Sequence, residues 1–309
     1  MKKCNVLIMC LLAVTTLFAQ NTQYLPISVV VEEQVEPFPP TAHAQLKNKL
    51  TQLLTRNGVA SMDYLGQFFL TAFVVPQTKD VISSAPKKIS ETMDMTLYIA
   101  DYTNKVIFAS TSVAIRGVGE TETKCYMNAL KGMPLTSPDI EKFVREGRDK
   151  IIAYYNHEAE NIIKKAQFLA STKQYAEALS LVVTVPAQCD KYEEALQTGL
   201  AIYQQYMDNQ CAINLAAARQ AWAAEQNTIG AQKAGEYLAQ MLPDAACYDE
   251  AMGLYQEIKG KVLDDWKFEM KKYQDSVDVE KERINAMREV GVAYGRGQQP
   301  TTTNIGFLR

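Results

Sequence analysis

Histidine is almost absent from this chain: among 309 residues only His43 and His157 occur, in unrelated segments. General acid–base chemistry and zinc ligation both draw on imidazole, so catalysis and metal binding lose their commonest side chain. Tight cysteine pairs are missing as well. Of the six cysteines none stands within the two to four residues of another that a zinc knuckle takes, and a thiol catalyst's neighbouring base is not in evidence. The chain contains no P-loop, G-x-S-x-G or H-E-x-x-H pattern. We therefore expect no enzyme, no cofactor and no catalytic or metal-binding residues.

Excess charge of one sign is lacking too. The formal net charge is −3 with acids and bases interspersed, and no basic stripe tracks phosphates. Nucleic acid and bulk anionic membrane are poor partners for such a surface. Long apolar runs are absent after residue 18, so the mature chain is expected to carry no transmembrane span.

What is present begins with an export segment. Lys2 and Lys3 precede the apolar run Val6–Phe18, and small Ala19 precedes Gln20, which predicts a signal peptide over 1–19. Cys10 follows Leu7-Ile8-Met9, which lacks the small residues of a lipid-attachment site. The expected location is periplasmic or secreted, with outer-membrane association as a further option. Removal of the segment takes Cys4 and Cys10 and leaves Cys125, Cys189, Cys211 and Cys247.

Residues 25–133 read as a small α+β domain, a mixed sheet with two helices. "ISVVVEE" (27–33) is a β-branched strand, interrupted by Pro37-Phe38-Pro39-Pro40. Leu46, Leu50, Leu53 and Leu54 follow at helical spacing, and Asn57-Gly58 supplies a left-handed stop. Strands are predicted over 67–76, 88–102 and 105–117. The last two are joined by "DYTNK", and the Arg116–Gly119 turn leads into a helix capped by Thr121 or Thr123. Glu32, Glu33 and Asp101 read as solvated strand ends and turn formers. On the element order and on "LKNKLTQLLTRNGV" and "VIFASTSVAIRGVGE", this part resembles the amino-terminal module of TolB and the curli-secretion lipoprotein family. The resemblance implies an envelope accessory module and no chemistry.

Past Pro134 and Pro138 the period becomes helical. Residues 138–262 are expected to form an all-α repeat domain. "AQFLASTKQYAEALSLVVTVP" (166–186) resembles a tetratricopeptide-type unit, with small Ala166 facing small Ala178. Residues 221–243 repeat it at an offset of 57, setting Gly235 opposite Ala178 and Pro243 opposite Pro186. One residue of slippage then pairs Tyr248 with Tyr192. The similar stretches "VPAQCDKYEEA" and "LPDAACYDEA" thus mark helix starts after proline stops.

Helix reversals order the cysteines. A helix from Cys189 to Tyr206 is roughly 27 Å long, which separates Cys189 from Cys211. Two reversals bring Cys247 back towards Cys211, so a Cys211–Cys247 bond is predicted, the alternative being two free buried thiols. From Tyr248 a single helix is expected to run to about Gly291, with Val262, Trp266, Met270, Tyr273, Val277, Ile284 and Met287 in one stripe. Residues 263–292 would extend the long C-terminal helix and 293–309 form a flexible tail, whose "NIGFLR" has strand-adding character. The helix either caps the repeat or docks a partner, with Trp266, Met270 and Tyr273 as contact residues. The functional expectation is an exported adaptor or scaffold that binds another envelope protein. A ligand-binding or hydrolytic role at the Gly117–Thr121 turn, and self-assembly through the long helix, are the alternatives.

Overall fold

The computed structural model describes residues 25–31, 38–59, 61–62, 66–271 and 279–297. The predicted export segment, Glu32, Glu33, Tyr273 and "NIGFLR" lie outside them. The fold is an α+β N-terminal part, then a mostly helical part that ends in a C-terminal helix.

The sheet has strand order β2-β1-β3-β4-β5. Strand β1 (Ile27–Val29) is wholly buried and runs parallel to both β2 (Ser61–Met62) and β3 (Phe68–Ser84). Strands β3, β4 (Lys87–Asp101) and β5 (Val106–Gly119) form an antiparallel meander. Alternation selects the faces: Phe68, Leu70, Ala72 and Val74 of β3, with Met93, Met95, Leu97 and Ile99 of β4, point into one core. Helix α1 (Pro40–Arg56) sets Leu46, Leu50, Leu53 and Leu54 into the same core, starting on Pro40 and ending at Gly58 with φ +71°. The opposite face carries a smaller cluster of Phe69, Phe73 and Ala100.

Two strand readings change. β3 does not stop at Pro76 but continues to Ser84. The proline sits beside a register shift, the kind of irregular position at which a strand tolerates one. Gly117 and Gly119 are the end of β5 and not a turn. Their missing side chains let the first turn of α2 (Glu122–Lys131) lie directly on the strand; a methyl at Gly117 would overlap the Cys125 carbonyl, and one at Gly119 would meet Lys124 Cβ at 2.6 Å. Thr121 caps α2, its hydroxyl accepting the Lys124 N–H.

Helix α3 (Pro138–Ser171) is 34 residues long, roughly 50 Å, and is capped by Ser137. Its first half belongs to the sheet's core through Ile140, Phe143, Val144, Ile151 and Tyr155, and Gly147 lies against Ile99. A division at 133 therefore separates secondary-structure types but cuts through one hydrophobic core. Ala166, Leu169 and Ala170, further along α3, belong to the core of the helical part.

The helical part contains a duplication. Helices α3 and α4 (Tyr175–Val182) are followed by α5 (Tyr192–Ala224) and α6 (Thr228–Leu238), then α7 (Tyr248–Val262). Buried positions of α3 and α5 correspond: Phe143 with Ala195, Gly147 with Gly199, Tyr155 with Met207, Ala159 with Cys211, Ile163 with Leu215 and Ala166 with Ala218. The turns correspond bond for bond. Cys189 N–H donates to Pro186 O as Ala245 N–H does to Leu242 O, and Tyr192 N–H to Cys189 O as Tyr248 N–H does to Ala245 O. In each turn one N–H is also taken by a side chain of the preceding long helix: Asp190 N–H by Asn156 Oδ1, Ala246 N–H by Asp208 Oδ1. Geometrically, Cys189 matches Ala245 and Cys247 matches Lys191. The sequence match of the two cysteines, and of Pro186 with Pro243, is thus out of register by up to two residues. The unit is also longer than the 34 residues of a tetratricopeptide repeat, so its period does not match that family's.

The expected continuous helix from Tyr248 to Gly291 is broken. α7 ends at Val262, and Leu263–Asp265 form one 3-10 turn with Leu263 at φ +49°. Residues 266–271 lie outside any helix, and α8 occupies Val279–Gly297. The helix thus also takes in the first residues assigned to the tail.

Candidate binding groove and buried polar groups

The stripe predicted to meet a partner is turned inward. Trp266 and Met270 are only 7% and 4% exposed. In "WKFEMK" the apolar residues alternate with charged ones, and Trp266, Phe268 and Met270 pack on α6 and α7. Trp266 stacks on Phe268 at 5.1 Å between ring centroids, and Trp266 Cζ2 lies 3.1 Å from where a Gly235 Cβ would stand. The strap's backbone is held as well: the Tyr255 hydroxyl donates to Phe268 O at 3.2 Å and the Tyr248 hydroxyl to Lys271 O. Trp266 and Met270, four apart, fit either a helix or an extended strand; Phe268 between them decides for period two.

Helix α8 covers the corresponding part of the first unit. Gly291 lies on the α4 backbone, 2.7 Å from its would-be Cβ to Leu179 O, and Met287 fills the space over Gly199. Arg283 donates to Gln204 Oε1 at 2.7 Å and Arg288 to the Tyr192 hydroxyl. The short helices α4 and α6 are therefore both covered by the chain's own C-terminal residues.

The two long helices leave an open groove between them of about 400 Å³, lined by Gln167, Ala170 and Ser171 of α3 and by Gln197, Thr198, Ala201, Ile202 and Gln205 of α5. No lining side chain is charged. The carboxamides and hydroxyls offer both donors and acceptors above an apolar floor of Ala170 and Ile202. Phe168, beside this lining on α3, is 66% exposed. The sequence showed these residues only as unremarkable polar positions of amphipathic helices; their convergence depends on how α3 packs on α5.

The cysteines occupy two environments. Cys211, in the middle of α5, is bonded to Cys247, at the start of α7, with S–S 2.07 Å and Cα–Cα 6.0 Å. Cys125 and Cys189 are free and buried. Burial holds both thiols up, Cys189 to about 11, with Glu91 adding to the effect at Cys125 and Asp190 at Cys189. Neither is a ready nucleophile. Among the described residues no group of three potential ligands converges on a metal position, and no helix is long and apolar enough to cross a membrane.

Two buried carboxylates stand out. Asp101, fully buried at the β4–β5 turn, accepts from Thr103 N–H at 2.7 Å and Asn104 N–H at 2.9 Å through Oδ1. Through Oδ2 it accepts from the Tyr155 hydroxyl at 2.5 Å and Asn104 Nδ2 at 3.0 Å. Gln67 Nε2 adds a bond at 3.3 Å. Burial, and then the Asp101 charge, push the Tyr155 phenol far up, so it stays protonated and donates. Asp101 is thus a fastener between sheet and α3, and not the solvated turn residue expected from its position.

Glu91 is 3% exposed; its Oε1 lies 4.0 Å from Lys79 Nζ, and its Oε2 has no hydrogen-bond partner among the described residues. Burial raises its pKa and Lys79 opposes the rise only in part. A raised folded pKa means that the native state holds its proton more tightly, so Glu91 favours folding below its unfolded pKa and loses that contribution as pH rises through the folded value. Glu91→Gln is accordingly expected to raise the melting temperature at pH 7 relative to the parent, with the difference shrinking to nothing below about pH 4. Paired thermal melts from pH 3.5 to 7.5 check this; a parent protein more stable than the variant at pH 7 contradicts it.

No family model and no curated protein matches the sequence. Among solved structures, a minor lipoprotein from Acinetobacter baumannii matches at 14% identity and a TM-score of 0.23, covering 32% of this chain and 68% of that one. A lipoprotein from Caulobacter crescentus CB15 matches at 14% identity and a TM-score of 0.21, covering 40% of this chain and 83% of that one.

Proposed function

We propose that the chain is an exported, non-enzymatic adaptor of the cell envelope, periplasmic or secreted, which binds another protein on the long-helix face of its helical repeat. The observation that carries this reading is the division of the repeat's surface. The short helices are covered by the strap and α8, whereas α3 and α5 keep an uncharged groove with Phe168 exposed beside it. Helical arrays commonly bind through one extended face while the other is closed. Export rests on Lys2, Lys3 and the run Val6–Phe18. The α/β part takes the accessory role that its resemblance to TolB and curli-secretion lipoproteins implies.

The hydrolytic alternative has less to stand on, because the space beside Gly117 and Gly119 is filled by the α2 backbone. Photo-crosslinking in the producing cells tests the adaptor reading. A benzophenone amino acid at Gln197 or Gln167 is expected to give one discrete envelope adduct that Gln256, exposed on α7, does not give. Absence of groove adducts, or the same adducts from all three sites, overturns the reading.

A further inference from the structure

We propose that the C-terminal segment, comprising the strap 266–271 and α8, exchanges between two copies of this chain, with Leu263 as the hinge. Leu263 has φ +49° and ψ −133°, a backbone conformation natural to glycine and strained for a branched side chain. Its side chain is 68% exposed, so packing returns little for the strain. Nor does local sequence demand the turn. No proline or glycine stands between Val262 and Asp278, and Val262, Trp266 and Met270 follow one another at helical spacing. The chain turns back at Leu263 because the strap and α8 find their seats on the same molecule.

Those seats lie on α4, α5, α6 and α7: Gly235 under Trp266, Gly199 under Met287, and the Leu179 backbone under Gly291. None of these contacts requires that the segment come from the same copy. If the hinge straightens, α7 continues as a helix, Leu263 relaxes, and each copy's segment fills the other's seats around a two-fold axis. Short hinges under strain favour such exchange. The occupant is therefore a second copy, and the interaction is independent of the groove between α3 and α5.

The exported full chain is unfolded, refolded at several concentrations and measured by light scattering. A dimer fraction that grows with refolding concentration is expected. Leu263→Gly, which removes the strain, shifts the balance towards monomer roughly tenfold or more, while Leu263→Ala, still strained, behaves as the parent. Topology is read with Gln204→Cys and Arg283→Cys, a pair in contact across α5 and α8, joined by a short bismaleimide. Exchange gives a dimer-sized band on a denaturing gel. Monomer at every concentration, a dimer whose crosslinks stay within one chain, or a Leu263→Gly variant that dimerises as the parent does would each overturn the proposal.

Discussion

Replacing Asp101 with alanine is expected to lower the melting temperature by on the order of 10 °C. The change strips the acceptor oxygens from five donors at once: the N–H groups of Thr103 and Asn104, the Asn104 and Gln67 carboxamides and the Tyr155 hydroxyl. Tyr155 is fully buried, so its hydroxyl has no water to turn to. Leaving such donors unpaired costs about 3 kcal/mol in sum, and a chain of this size loses a few degrees for each. Two further variants separate the parts. Tyr155→Phe removes one donor while Asp101 keeps the others, and should cost roughly 1 kcal/mol. Asp101→Asn keeps the shape but brings its own donor against the Asn104 carboxamide or the phenol, and should fall between. Thermal unfolding followed by circular dichroism ranks the three; an Asp101→Ala protein that melts within a degree or two of the parent refutes the fastener.

The second large effect belongs to the Cys211–Cys247 bond. It closes a loop of sequence separation 36, and the chain-entropy account assigns such a loop about 4 kcal/mol. The bond also ties the middle of α5 to the start of α7, across the turn in which Asp208 holds the Ala246 N–H. Cys247→Ser is therefore expected to lower the denaturant midpoint substantially, and reduction of the parent protein should lower it by a similar amount and add no further loss to the variant. Cys189→Ser serves as the comparison, because that thiol is free and its loss touches only local packing. Peptide mapping without reductant is expected to recover Cys211 and Cys247 in one linked fragment. An unchanged midpoint in Cys247→Ser, or the absence of the linked fragment, contradicts the assignment.

Periodicity carried the reading wherever one surface of an element is buried throughout. Leu46, Leu50, Leu53 and Leu54 could only be a helix face, and the "DYTNK" hairpin follows from Asp101 accepting its own turn's N–H groups. The reading failed where two periods share the same residues. Trp266 and Met270 fit helix and strand alike, and the decision came from Gly235, about 100 Å of chain away when measured as an extended backbone, whose bare surface receives the Trp266–Phe268 stack. Gly117 and Gly119 failed for a related reason. A glycine pair means a turn when judged from its neighbours, and a close approach when another backbone lies on it.

The candidate groove was the least legible part. Gln167 and Gln197 are ordinary polar residues on the helices α3 and α5, and nothing in their spacing marks them as a pair. The same holds for the buried network, since Asp101 and Tyr155 are 54 residues apart and Asp101 has local work enough to explain its presence.

By itself, the sequence determined what short-range physics controls: the basic and apolar pattern of residues 2–18 from which export is expected, the change from strand to helix periodicity near Pro138, and the duplication of a helical unit. The first two depend on residues within a turn or two of one another and the third on a local pattern that recurs along the chain, so no distant contact is needed to read them. Tertiary structure alone decided the register of the repeat, the inward burial of Trp266 and Met270, the strained turn at Leu263 and the groove left open between α3 and α5. Those depend on which surfaces compete for the same apolar residues, and that competition is resolved only when α6, α4 and the C-terminal segment meet.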